Sequence, residues 1–165
     1  MQPQEIRLLF DYNAWANQRL LAQAAQVTTA QWAAPSSHSF SSLHSTLLHI
    51  LDTEYGWRAI LEGLGPTPIL AEEDYPTHQA LAARWREEEA AWDAFLRRLT
   101  AADLANPVPA LADDESQAAH SLWYYLFHVV NHGMQHRSEA AALLTNYGQS
   151  PGDIDFTVFL AARAG

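Results

Sequence analysis

Residues 118–147 read AAHSLWYYLFHVVNHGMQHRSEAAALLTNY, and this stretch decides the architecture. Its apolar residues Leu122, Leu126, Val129, Val130, Ala140 and Leu144 recur at three- and four-residue intervals, the period of an α-helix with one buried face. Gly148 supplies the stop, being the residue type most at ease in the left-handed turn that ends a helix. Inside the stretch, His128, His132 and His136 stand four apart and so lie one above another on one side of the helix. A rotation of about 100° per residue puts His136 within the apolar face, His132 on its edge and His128 about 40° further toward the polar side. Neutral imidazole is the commonest protein ligand for zinc, nickel, copper and iron. The ladder therefore reads either as half of a metal site or as a mixture of surface and core-edge histidines.

Outward from this helix the chain shows three more of the same kind. Ile6, Leu9, Phe10, Ala14, Leu20, Leu21 and Ala24 predict a helix from Gln4 to about Gln26, its stripe interrupted by Asn13 and Asn17. Thr29 can cap a short turn before the loop at Pro35. A second long helix, from Ser41 or Ser42 to about Glu62, is apolar on nearly every side and should be well buried. Thr77 is the expected N-cap of a third, reaching Leu99, with Leu81, Trp85, Trp92, Phe95 and Leu99 facing inward and the Arg84–Glu88 pair on a solvated face. The fourth runs from about Ala118 to Tyr147, after a connection holding Asn106, Pro107, Pro109 and Asp113–Glu115. A short apolar end follows at Val158–Ala162. Four such helices and no convincing strand predict an all-α protein, a four-helix bundle forming one domain over residues 1–165. The connection from Gly63 to Pro76 spans 14 residues. Extended, it reaches roughly 45 Å, more than the length of a 22-residue helix at about 33 Å, so it can leave helices two and three parallel.

Composition narrows the chemistry. The chain has 165 residues, 48% of them apolar, enough to bury a real core. It has no cysteine, so thiolate metal sites, iron–sulfur clusters and disulfides are excluded, and any metal is held by nitrogen and oxygen. All nine basic residues are arginine, which excludes Schiff-base lysine chemistry. A net charge of −10 argues against nucleic acid and against anionic membranes as partners. With neither a signal pattern nor a membrane span in view, the expected compartment is the cytoplasm.

A metal site needs donors from more than one direction, so His132 and His136 require a partner on another helix. His49, midway along the most buried helix, is the natural choice. His44, His38, His78 and His120 fall in loops or near helix ends and read as solvated or capping residues. Asp52, one turn beyond His49, reads either as an acceptor orienting a ligand imidazole or as a surface carboxylate. Asp52 and Glu54 are the carboxylates nearest His49 that could close an open coordination position. Arg137 reads as an ion-pair partner of a neighbouring helix or as an anion-binding group. Asn13 and Asn17 read as satisfying backbone groups or each other rather than touching substrate.

The stretch His128–Glu139 resembles the fourth-helix motif of the DinB family (the DinB/YfiT-like proteins), Asp11–Leu20 resembles that family's first-helix motif, and Leu48–Trp57 its second. The closing Ser150–Phe156 also fits. The resemblance implies an up-down-down-up bundle and a divalent metal held by one histidine of helix two and two of helix four, here His49, His132 and His136. Zinc or nickel suits such a site best, and iron or manganese is compatible with it. The resemblance further implies a homodimer and, from some relatives, a low-molecular-weight thiol as cosubstrate. Three readings follow. The first is a metal-dependent enzyme acting on a small molecule, either a hydrolase or a thiol-dependent transferase or isomerase. The second is a non-catalytic, DNA-damage-inducible metal-binding protein. The third is direct action on DNA, which the charge opposes.

Overall fold

The computed structural model of the chain describes residues 1–108 and 120–164, and no strand occurs among them. Seven α-helices do: α1 (Pro3–Ala24), α2 (Thr29–Trp32), α3 (Leu43–Leu61), α4 (His78–Arg98), α5 (Ala101–Ala105), α6 (Leu122–Asn146) and α7 (Phe156–Ala164). Sequence and structure agree closely on the four long ones, because their ends carry local signals. Ser42 caps α3 by accepting from the backbone N–H of Ser45 at 3.0 Å, and Thr77 caps α4 through Ala80 at 3.2 Å. Gly63 and Gly148, both left-handed, end α3 and α6. In each case the following two N–H groups fold back onto carbonyls of the last turn: Gly63 on Ile60 and Leu64 on Ala59, Gly148 on Thr145 and Gln149 on Leu144.

Three boundaries differ from expectation. The short turn is capped by Thr28, whose hydroxyl accepts from Gln31, and Thr29 is its first helical residue. Residues 101–105 form a helix within what reads as connection, capped by Thr100. The last long helix begins at Leu122, four residues later than the sequence suggests, because its approach is held extended: Val108 N–H bonds to the His120 carbonyl and Leu122 N–H to that of Asn106. The acidic run Asp113–Glu115 lies outside the described residues.

The long helices close a ring of packing pairs: α1 with α6, α6 with α3, α3 with α4, and α4 with α1. Inside it the apolar side chains form two groups. One gathers Ile6, Phe10, Ala16, Trp92, Leu126 and Val130; the other gathers Leu20, Leu47, Ile50, Leu81, Trp85 and Leu144. Where one group gives way to the other along α1 and α6 come buried polar residues: Asn13 and Asn17, on either side of Ala16, on one helix and Arg137 on the other. No described helix is long and apolar enough to cross a membrane.

Two charge assignments are corrected here. Glu88 does not decorate a solvated face: it is 0% exposed. Arg58 of α3 reaches it from Nε at 2.5 Å and Nη2 at 3.1 Å, and Arg84 adds a contact at 2.9 Å, so the carboxylate enters the interior fully paired. His44 is buried rather than solvated, stacked on Trp32 of α2 with ring centroids 4.8 Å apart and its Nδ1 3.5 Å from Glu72.

Candidate metal centre

Three imidazoles meet where α3 faces α6. One ring nitrogen from each of His49, His132 and His136 lies within 4.8 Å of the others. Nε2 of His49 and Nε2 of His132 are 3.1 Å apart. Ring centroids of His49 and His136 are 4.7 Å apart with planes at 90°, and those of His132 and His136 are 4.6 Å apart. Tetrahedral coordination at a zinc–nitrogen distance of about 2.0–2.1 Å requires donors roughly 3.3 Å apart. The observed spacing brackets that value, so the donor set fits a divalent ion of the kind that accepts nitrogen ligands.

Burial follows the helical wheel: His136 is inside, and His132 and His49 are half-buried. The centre is thus partly exposed, through His49 and His132. His128 is exposed and packs edge-on to Trp57, 5.2 Å between centroids, outside the cluster. Burial and then the charge of His136 push the His49 imidazole down from its ordinary value, against the pull of Asp52 and Glu139. Burial, with His136 and His49 beside it, pushes His132 down to about 4. Both rings are therefore neutral at physiological pH, the state in which imidazole can ligate.

Three residues of the centre escaped the sequence reading. Glu139 Oε2 lies 2.8 Å from His136 Nδ1, which fixes that ring's orientation and leaves Nε2 for a ligand role. Its other oxygen accepts from the Ser39 hydroxyl at 2.6 Å. Burial pushes the Glu139 carboxyl up, but Ser39 and His136 outweigh it and hold the group below its ordinary value. Phe40, next to Ser39, stacks on His49 with centroids 3.9 Å apart and meets His136 edge-on at 5.3 Å. Glu139 was discoverable, being three residues beyond His136 on one helix. Ser39 and Phe40 carry no such signal, because a loop has no period.

The other candidates are engaged elsewhere. Asp52 accepts from the Leu70 backbone N–H at 2.8 Å and so pins the connection between α3 and α4. Glu54 turns away from the histidines into the core. There its Oε1 accepts from the side-chain amides of Asn13 and Asn17 at 2.6 and 2.9 Å, and its Oε2 from Trp85 Nε1 at 3.1 Å. Asn13 and Asn17 thus bridge charged groups instead of satisfying backbone or each other. Their oxygens accept from Arg137 Nη1 at 2.5 and 3.0 Å, and the guanidinium, 0% exposed, cannot contact a solvent-borne anion. Burial pushes Glu54 up and Arg137 down, each resisted by the other's charge. Since every partner of the carboxylate is a donor, the ionised form is the one the site satisfies. A cavity of about 100 Å³ between α1 and α4 reaches Asn13 and Glu54, but its lining includes none of the three histidines.

The model of the DinB family matches residues 1–164. Protein DinB of Bacillus subtilis (strain 168) is 25% identical over 160 residues, covering 92% of this chain and 91% of its own. The chain belongs to the DinB family.

Proposed function

We propose that this DinB-family chain is a metal-dependent enzyme that holds one divalent ion through His49, His132 and His136 and acts on a small molecule, as a hydrolase or a thiol-dependent transferase or isomerase. The observation that carries this reading is the meeting of three imidazoles, two of them held neutral and half-buried, where α3 faces α6. Three protein ligands leave a position for an exogenous group, the arrangement of catalytic rather than structural sites. Zinc or nickel suits the all-nitrogen set best, and iron or manganese is compatible with it. When bound, the ion supplies Lewis acidity toward a coordinating hydroxyl or thiol. The chain's own residues do the rest: Glu139 holds the proton on His136 Nδ1, and Phe40 covers one face of His49 and keeps water from it.

The scaffold we propose is an up-down-down-up four-helix bundle. Contacts between α3 and α4 rise together in number (Glu54 with Trp85, Arg58 with Glu88, Glu62 with Arg98), as parallel helices require. Those between α3 and α6 run oppositely, His49 with His136 and Trp57 with Tyr125. A homodimer is part of the proposal, supported by Tyr124, Phe127 and Met134, which form an exposed apolar stripe on α6.

A non-catalytic metal-binding role is the second reading. It is favoured by the fact that Asp52, Glu54 and Arg137 are all committed to structural partners. Two measurements test the proposal. Elemental analysis should give about one ion per chain, lost on replacing His49, His132 or His136 by alanine and kept in His128→Ala. Cobalt-loaded protein should develop a thiolate charge-transfer band on adding a small thiol, increasingly as pH approaches the thiol pKa. A spectrum unmoved by thiol, azide and cyanide would favour the second reading. Metal retained in His132→Ala but lost in His128→Ala would overturn the assignment of the ligands.

A further inference from the structure

The polar cluster adjoins the metal centre along α6, with which it shares turns, and is completed by Glu54 of α3 and by Asn13 and Asn17 of α1. Gly133 follows His132 and Arg137 follows His136, while Glu54 lies five residues beyond His49. On α6 each ligand and its network neighbour are about 100° apart, so one faces α3 while the other faces α1. The chemistry of the cluster leaves one way to assemble it. Arginine only donates and an ionised glutamate only accepts, so each asparagine must turn its oxygen to Arg137 and its amide nitrogen to Glu54. The distances agree, and Arg137 Nη2 adds a contact of 3.3 Å to the Val130 carbonyl.

Such a cluster is a poor choice for stability, because apolar residues of equal volume often serve better. It differs from them in geometry. Apolar packing tolerates a helix turning by several degrees, whereas four hydrogen bonds of fixed length do not. Gly133 belongs to the device: a Cβ there would stand 2.6 Å from Arg137 Nη1 and 3.0 Å from Asn13 Oδ1. The guanidinium is wholly buried and bonded on both terminal nitrogens, so yielding to a Cβ would stretch or break those bonds.

We infer that Asn13, Asn17, Glu54 and Arg137, with Gly133 as their clearance, are positioning residues that fix the rotation of α6 so that His132 and His136 meet His49. The inference rests on the metal reading proposed above. It makes an unusual demand: alanine, ordinarily the better helix former, should do harm in place of Gly133.

The test uses the full chain loaded with cobalt, comparing Gly133→Ala, Asn17→Leu and Arg137→Lys with Leu81→Ala. Leu81 is buried on α4, which carries no ligand. Affinity is read by chelator competition, ligand geometry by the visible cobalt spectrum, and stability by thermal melting. Gly133→Ala and Asn17→Leu should raise the cobalt dissociation constant at least tenfold and alter the band shape. Leu81→Ala should lower the melting temperature at least as far while keeping both within twofold. Arg137→Lys keeps the charge but loses the fork. It should fold and still bind at least tenfold more weakly, and it decides the matter if the other two do not fold. Unchanged affinity and spectrum in the folded network variants would overturn the inference, as would affinity that simply tracks melting temperature through Leu81→Ala. An unsubstituted chain that binds no cobalt, or His132→Ala that binds it equally, would refute the metal reading beneath it.

Discussion

Glu139→Ala isolates what the carboxylate behind His136 does. Glu139 Oε2 lies 2.8 Å from His136 Nδ1, and Oε1 is held by Ser39 at 2.6 Å, so removal frees both the imidazole and the loop carrying Phe40. Losing such a partner of a ligand histidine typically costs 10–100-fold in metal affinity, or about 1.4–2.7 kcal/mol. The upper part of the range is expected here. His136 is the most buried of the three rings, and without its acceptor the Nδ1 proton has no partner in place. Glu139→Gln keeps an oxygen acceptor but loses the charge, and should cost about tenfold or less. Ser39→Ala removes only the contact behind Glu139 and should cost a few-fold. The assay is zinc competition against a chromophoric chelator at pH 7, with circular dichroism confirming equal folding. An affinity for Glu139→Ala within twofold of the unsubstituted chain, while His136→Ala abolishes binding, would refute the idea that this carboxylate prepares the ligand.

The remaining expectations concern acid, chelation and DNA. His132 has its folded pKa lowered to about 4 against an ordinary 6.5, so the folded chain takes up its proton later than the unfolded one. Its contribution to the metal-free protein is present above about 6.5, declines as pH falls toward 4, and is gone below. Melting temperatures of chelated protein across this window should therefore fall more steeply than those of His132→Ala, and equal slopes would contradict the shift. Chelation should leave the helical circular dichroism largely intact and lower the melting temperature by linkage, because the two apolar groups do not depend on the ion. Loss of the helical signal would instead make the metal structural. With a charge of −10, duplex DNA should bind more weakly than about 10⁻⁴ M at physiological salt. Sub-micromolar binding in a filter or anisotropy assay would overturn the charge argument.

The chain read alone places its four long helices to within a few residues, because caps such as Ser42 and Thr77, stops such as Gly148 and the 3.6-residue period are all local. It also ranked the histidines of α6 correctly by burial, since the wheel is a property of one helix. Which polar side chains enter the interior is set by how the helices pack. Glu54 and Arg137 meet through asparagines 37 to 124 residues away, and Glu88 is buried by an arginine 30 residues before it. Read alone, a carboxylate on a helix is placed outward, because burying it without a partner is prohibitive. Whether a partner is present depends on how other helices arrive. Phe40 and Ser39 were hidden for a related reason: their loop has no period, and its position over His49 is set by Glu139, a hundred residues further along.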